Sequence, residues 1–163
     1  MIATYYKNIF AEEGSFMQIS ECLNRIKSGE SKKTIEQIRL TIDKEKANSL
    51  KKNLPSICLS GTFKGSRKDE NLIDHSGFIV LDFDDVKDTE TLKHLLIGYK
   101  FVKATWVSPS GKGVKALVEI ADKTKHREHF ESLREDFPEI DKSGINVSRV
   151  CYESYDPEIY IND

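Results

Sequence analysis

His75-Ser76-Gly77-Phe78-Ile79-Val80-Leu81-Asp82-Phe83-Asp84-Asp85-Val86 reads as an apolar strand that ends in carboxylates. Phe78 to Leu81 are apolar at every position, the pattern of a strand covered on both faces rather than one at a wet edge. Side chains alternate faces along a strand, so Asp82 and Asp84 point the same way, about 6–7 Å apart. Two carboxylates ending a buried strand are costly unless something compensates them. Hard divalent cations prefer carboxylate oxygens, which makes Asp82 and Asp84 candidate ligands for Mg²⁺ or Mn²⁺, with Asp85 as a candidate third. A strand running out into an acidic turn has the same local pattern, and this stretch alone does not choose between the two.

Upstream, residues 2–9 read as a first strand. Ser15 is placed to cap a helix whose Phe16, Ile19, Leu23 and Ile26 recur at helical spacing, with Gly29 as its stop. Ile35, Ile38 and Ile42 mark one face of a second helical stretch, which breaks near Asp43 or continues to Pro55. Ser56 to Phe63 reads as a short strand, and Lys64 to Asn71 as a polar, basic loop.

Downstream, Asp88 caps a helix carrying Leu92, Leu95 and Leu96. Phe101 to Val107 and Val114 to Ile120 are strands, and Trp106 and Phe101 read as core rather than as a stacking platform. Asp122 or Thr124 starts a helix that ends before Pro138, and the tail from Val150 to Ile161 holds a final strand or two. This order predicts an α/β or α+β fold, with residues 76 onward resembling half of a ferredoxin-like mixed sheet. The carboxylates then sit at a strand's C-terminal end, where open α/β sheets bind ligands.

Two further segments carry candidate chemistry. Ser108-Pro109-Ser110-Gly111-Lys112-Gly113-Val114-Lys115 has glycines that admit a close ligand and lysines able to hold phosphates, although its spacing is not that of a P-loop. A glycine-rich hairpin turn with solvated lysines reads the same way. In Asp141-Lys142-Ser143-Gly144-Ile145-Asn146-Val147-Ser148-Arg149, Asp141 is a further candidate metal ligand and Arg149 suits bidentate phosphate binding. A turn built from Asp, Ser, Gly and Asn is the plain alternative. Asp156, before Pro157, reads as a turn residue. His126 and His129 have a spacing used by metal sites but lack a well-placed acidic partner.

The 163 residues suit one domain, 1–163, with residues 1–55 mostly helical and 56–163 forming the core. No apolar run approaches the roughly 20 residues of a membrane span, and the start lacks the apolar core of a secretion signal. Cys22, Cys58 and Cys151 have no paired spacing suggesting zinc, so a cytoplasmic chain with reduced thiols is expected. The net charge of −2 is unevenly spread. Residues 1–70 carry 13 basic and 9 acidic side chains, whereas residues 71–163 carry 12 and 18. A basic half beside an acidic half is compatible with a nucleic-acid track next to a metal site.

Leu81-Asp82-Phe83-Asp84, Ser108 to Lys115, and Ile140-Asp141 together resemble the motifs of archaeo-eukaryotic primase-type polymerases, the primase–polymerase superfamily. More closely, the chain from about residue 50 onward resembles the BT4734-like or VirE-like N-terminal domains found ahead of helicase-type regions in bacterial mobile elements. Leu54 to Phe63 and Ser148 to Pro157 add to that likeness. The resemblance implies a primase–polymerase-like core with a ferredoxin/RRM-like sheet and an N-terminal αβ unit. It implies two-metal nucleotidyl transfer, with Asp82, Asp84 and Asp141 holding Mg²⁺ or Mn²⁺. Ser110, Lys112 and Lys115 would bind nucleotide phosphates, and Arg149 would orient nucleotide or a single-stranded DNA template. A helicase domain or protein is an implied partner, and a membrane is not. Superfamily members usually carry a histidine where this chain has Lys115.

Two alternatives stand beside this expectation. One is a catalytically lapsed relative that binds nucleic acid or recruits a helicase. The other is a haloacid-dehalogenase-type phosphatase, because Asp82-Phe83-Asp84-Asp85-Val86 fits its DxDx[TV] pattern. That fold, however, needs several βα units and a later acidic pair.

Overall fold

The computed structural model describes residues 1–162 and has an α+β fold. Its N-terminal half runs β1 (Ile2–Tyr6), β2 (Ser15–Gln18), α1 (Ile19–Ser28), α2 (Lys32–Leu40), α3 (Lys44–Lys52), β3 (Ser56–Cys58), β4 (Gly61–Phe63) and β5 (Leu72–His75). The second half runs β6 (Phe78–Phe83), α4 (Thr89–Leu96), β7 (Val102–Val107), β8 (Val114–Glu119), α5 (His126–Asp136), β9 (Cys151–Tyr152) and β10 (Tyr160–Ile161). Short 3₁₀ turns occupy Asp69–Asn71 and Lys142–Ile145.

The central sheet has the order β10-β7-β8-β6, and a second sheet has the order β2-β1-β3-β9. Alternation along β6 sorts the core into two layers. Ile79, Leu81 and Phe83 join Leu96 of α4 and Phe130 and Leu133 of α5 on one face. Phe78 and Val80 face the other way, with Ala104, Trp106 and Leu117, against α1 and the second sheet. Each such fully buried aliphatic or aromatic side chain contributes about 1.5–3 kcal/mol. Asp82 and Lys115 have the parity of this second face, at its end.

Several sequence expectations change in the fold. The anticipated mixed sheet is antiparallel throughout the described residues, because the β7–β8 hairpin inserts β8 between β6 and β7. The rule placing ligands at strand C-termini of open parallel sheets therefore does not apply. In the ferredoxin-like order the fourth strand would pair beside the first. Here β10 pairs with β7 instead, which leaves β6 at the sheet edge rather than in the interior. The turn Lys142–Ile145 lies against that edge, and Gly144 permits it: a Cβ there would meet Phe130 Cε2 at 2.5 Å and the Val80 carbonyl at 3.2 Å.

Ser15 caps no helix, because Ser15–Gln18 pairs with β1 and α1 begins only at Ile19. Backbone pairing of β2 overrides the helical periodicity of Phe16, which is exposed. Gly29 does stop α1, at φ +86°. The second helical stretch breaks at Asp43, whose side chain caps α3, and Ile42 lies in the turn, fully exposed rather than on the buried face. Ser56–Phe63 divides between two sheets at Leu59-Ser60. The helix expected from Asp122 or Thr124 starts at His126, since Asp122 accepts the Thr124 N–H at 2.9 Å in a turn. Asp88 caps α4 as expected, and Trp106 is fully buried.

Candidate functional site: a carboxylate cleft at the end of the central sheet

Asp82 and Lys115 are direct partners in the antiparallel register of β6 and β8. The Lys115 ammonium lies on Asp82 Oδ2. Both side chains are largely withdrawn from solvent, with exposures of 9% for Lys115 and 17% for Asp82. The cation compensating the strand-end carboxylate is thus a lysine of the chain itself. Compensation is incomplete, however, since Asp82 Oδ1 is buried with no hydrogen-bond partner among the described residues.

Asp141 reaches this site through the backbone: its N–H donates to the Asp82 carbonyl at 2.9 Å, extending β6 on its open edge. Its carboxylate caps the Lys142–Ile145 turn, with Oδ1 accepting from the Ser143 N–H at 2.7 Å and from the Ser143 hydroxyl. Those bonds, strengthened by nearby Arg149 and Lys115, hold the Asp141 carboxyl below the usual range. Arg149, Val150, Cys151, Ser143 and Gly144 line a cleft with Asp82 and Lys115. Its enclosed space is about 10 Å³, near the minimum for one water molecule or a small ion.

Asp84 follows on the same parity but is exposed. Partial burial raises its carboxyl pKa; Asp82, Asp141 and Asp85 raise it further, against the pull of Lys115. Burial opposes the charge of Lys115, but Cys151 and Asp82 outweigh it and hold its pKa above the ordinary value. Burial also pushes the Cys151 thiol up to about 11.

Past Asp84, Asp85 turns the chain in the left-handed region at φ +51°, and the Val86 N–H donates to the Lys112 carbonyl at 2.8 Å. The loop between β7 and β8 thereby closes over the same sheet end. Gly113 is required there, because a Cβ would stand 2.6 Å from the Phe83 carbonyl. Ser110 Oγ accepts from the Lys112 N–H at 3.2 Å and lies 3.1 Å from Ser108 Oγ, while the Lys112 side chain is exposed. Arg39 of α2 braces this loop, donating to the Ser108 carbonyl at 3.2 Å and the Tyr155 carbonyl at 2.8 Å.

The fold thus gathers Asp82, Lys115 and Arg149 at one cleft, ties Asp141 to the Asp82 backbone beside it, and leaves Asp84 exposed. Ser110 and Lys112 share the sheet end, and no hydrogen bond joins them to these carboxylates among the described residues. No group of three or more His, Cys, Asp or Glu side chains is preassembled to hold a metal among the described residues. The donors that a small cation would face are the buried Asp82 Oδ1, which lacks a partner, and Asp84, which is crowded by like charges.

Cys151, Ser143 and Arg39 escaped the sequence reading as site neighbours. The Asp-x-Ser spacing of Asp141 and Ser143 is a legible turn signal. His126 and His129 share no partner. His126 Nε2 lies 3.0 Å from the Gly144 carbonyl and its Nδ1 lies 2.9 Å from His75 Nε2, whereas His129 accepts from the Asp122 N–H at 3.3 Å. Asp156 does begin a turn, yet it is buried and accepts from Lys93 Nζ at 2.8 Å and the Val107 N–H at 2.9 Å.

The chain of this α+β protein is matched over residues 49–161 by the model of the BT4734-like N-terminal domain family. The chain belongs to that family. No curated protein and no solved structure matches it. Residues 1–48, which include α1, α2 and the first part of α3, lie outside the matched region. No helix among the described residues is long and apolar enough to cross a membrane.

Proposed function

We propose that this chain is a primase–polymerase-like nucleotidyl-transfer domain that adds nucleotides on a single-stranded DNA template in replication of a mobile element. The observation carrying this reading is the buried, unpartnered Oδ1 of Asp82 in a cleft shared with Lys115 and Arg149, beside Asp84 and Asp141. Asp82 and Asp84 would hold Mg²⁺ or Mn²⁺, with Asp141 completing the acidic set. A divalent ion bound there supplies activation of a 3′-hydroxyl and neutralisation of phosphate charge.

The chain's own residues take the remaining roles. Lys115 offers a point charge to a nucleotide phosphate, and Arg149 offers a planar fork that suits two phosphate oxygens. Lys112 and the Ser110 hydroxyl stand at the same sheet end for the outer phosphates. Exposed lysines of α3 supply charge for the template strand. A helicase-type region is the proposed partner. The phosphatase alternative is less favoured, because the central sheet is antiparallel throughout the described residues rather than a parallel array of βα units.

A second reading, a catalytically lapsed binding module, draws on the Lys115 ammonium that already sits on Asp82. Primer extension on a single-stranded template with Mn²⁺ or Mg²⁺ separates the two. Transfer predicts incorporation that Asp82→Ala/Asp84→Ala abolishes; nucleotide or DNA binding without incorporation favours the lapsed module.

A further inference from the structure

We propose that Lys115 is a built-in counter-ion that Asp82 exchanges for a divalent cation only when nucleotide phosphates draw the lysine away, so that metal and nucleotide bind as a coupled pair. The inference rests on the nucleotidyl-transfer reading of the same cleft and adds an order of binding to it.

Lys115 projects from β8 directly opposite Asp82, and its ammonium takes one of the two carboxylate oxygens. With 9% of its side chain exposed, it has little water to move into. A divalent ion approaching the free Oδ1 therefore meets a cation already on the same carboxylate, in a partly dry cleft where repulsion is poorly screened. Arg149, on the cleft wall, adds a second positive charge. Free metal is disfavoured by both.

A polyphosphate reverses this balance. It offers the lysine a new anion at the mouth of the cleft, and a lysine stem is flexible enough to swing its point charge between partners. Once Lys115 engages phosphate, both Asp82 oxygens and the neighbouring Asp84 carry uncompensated charge, and the incoming cation replaces the lost one. By linkage, metal must then strengthen phosphate binding by the same factor that phosphate strengthens metal binding.

The test measures Mn²⁺ binding by the spin-resonance signal of the free ion, without nucleotide, for wild type, Lys115→Met and Lys115→Arg. Lys115→Met is expected to tighten Mn²⁺ binding by roughly ten- to hundredfold, while Lys115→Arg, which keeps the charge, stays near wild type. Equal affinity in wild type and Lys115→Met, or equal tightening in both variants, overturns the exchange. A measurement on wild type alone serves if Lys115→Met fails to fold. With ¹³C-labelled aspartate, the Asp82 carboxyl signal is expected to stay in place on adding Mg²⁺ and to move when a non-hydrolysable deoxynucleoside triphosphate is added with it. A full shift with Mg²⁺ alone overturns the proposal. Neither readout requires incorporation, so an inactive wild type sinks the transfer reading without deciding the exchange.

Discussion

Asp82 on β6 and Lys115 on β8 occupy one register position of an antiparallel ladder and form an ion pair largely withdrawn from solvent. The pair ties the acidic strand to the basic hairpin, so the charge that the sequence assigns to a metal is carried, in part, by a side chain. Removing one partner of such a pair strands the other in a dry cleft, which typically costs about 3–5 kcal/mol.

Asp82→Asn and Lys115→Met are therefore each expected to lower unfolding stability by about 3 kcal/mol, and the double variant by clearly less than the sum. A double-mutant cycle in urea reads this directly. Strict additivity would show that the pair is incidental to the fold.

The His75–His126 pair gives the fold a definite acid response. The Gly77 N–H donates to His75 Nδ1 at 2.9 Å, so His75 carries its proton on Nε2, which faces His126 Nδ1. His126 then donates from Nε2 to the Gly144 carbonyl. Each ring holds one proton and is neutral. Burial, then the neighbouring His126, lowers the His75 pKa from 6.5 to about 4, and burial lowers that of His126 as well. Between those values the unfolded chain binds more protons than the folded one, so stability falls as pH drops from 6.5 towards 4. The loss is on the order of 2–3 kcal/mol. Urea midpoints across that range should slope downward toward acid in wild type and flatten in His75→Gln; parallel slopes would contradict the assignment.

Arg39 links α2 to the loop carrying Ser110 and Lys112. Arg39→Ala should speed hydrogen exchange at residues 108–113 while leaving the amides of β6 and β8 protected. An unchanged exchange rate in the loop would mean that the brace is idle.

Lys44 and Lys52 are exposed and eight residues apart, on one face of α3, a helix with no buried residue. Lys44→Glu/Lys52→Glu should weaken single-stranded DNA binding and flatten the plot of log K against log salt by about 1–2 units. A slope equal to that of wild type would remove α3 from the template path.

Much of the fold was legible because local signals agreed with tertiary ones. Gly29, Asp43 and Asp88 mark helix ends where the structure has them. The misreadings came where pairing partners distant in sequence decided the outcome. Phe16 matches a helical period, but β1 captures it as a strand. Continuous apolarity from Phe78 to Leu81 does mark a strand covered on both faces, but it does not reveal that β6 lies at the sheet edge under a turn some sixty residues later. The same distance hid the site: Asp82 and Asp84 stand out locally, whereas the ion pair with Lys115 and the backbone bond from Asp141 exist only once the sheet is assembled.

The most direct test of the nucleotidyl-transfer account is a crystal grown with Mn²⁺ and a non-hydrolysable deoxynucleoside triphosphate, read by anomalous scattering. The account predicts a manganese peak between Asp82 and Asp84, triphosphate on Lys115 and Arg149, and the Lys115 ammonium moved off Asp82. Nucleotide bound elsewhere, or manganese absent from those carboxylates while triphosphate occupies the cleft, would contradict it.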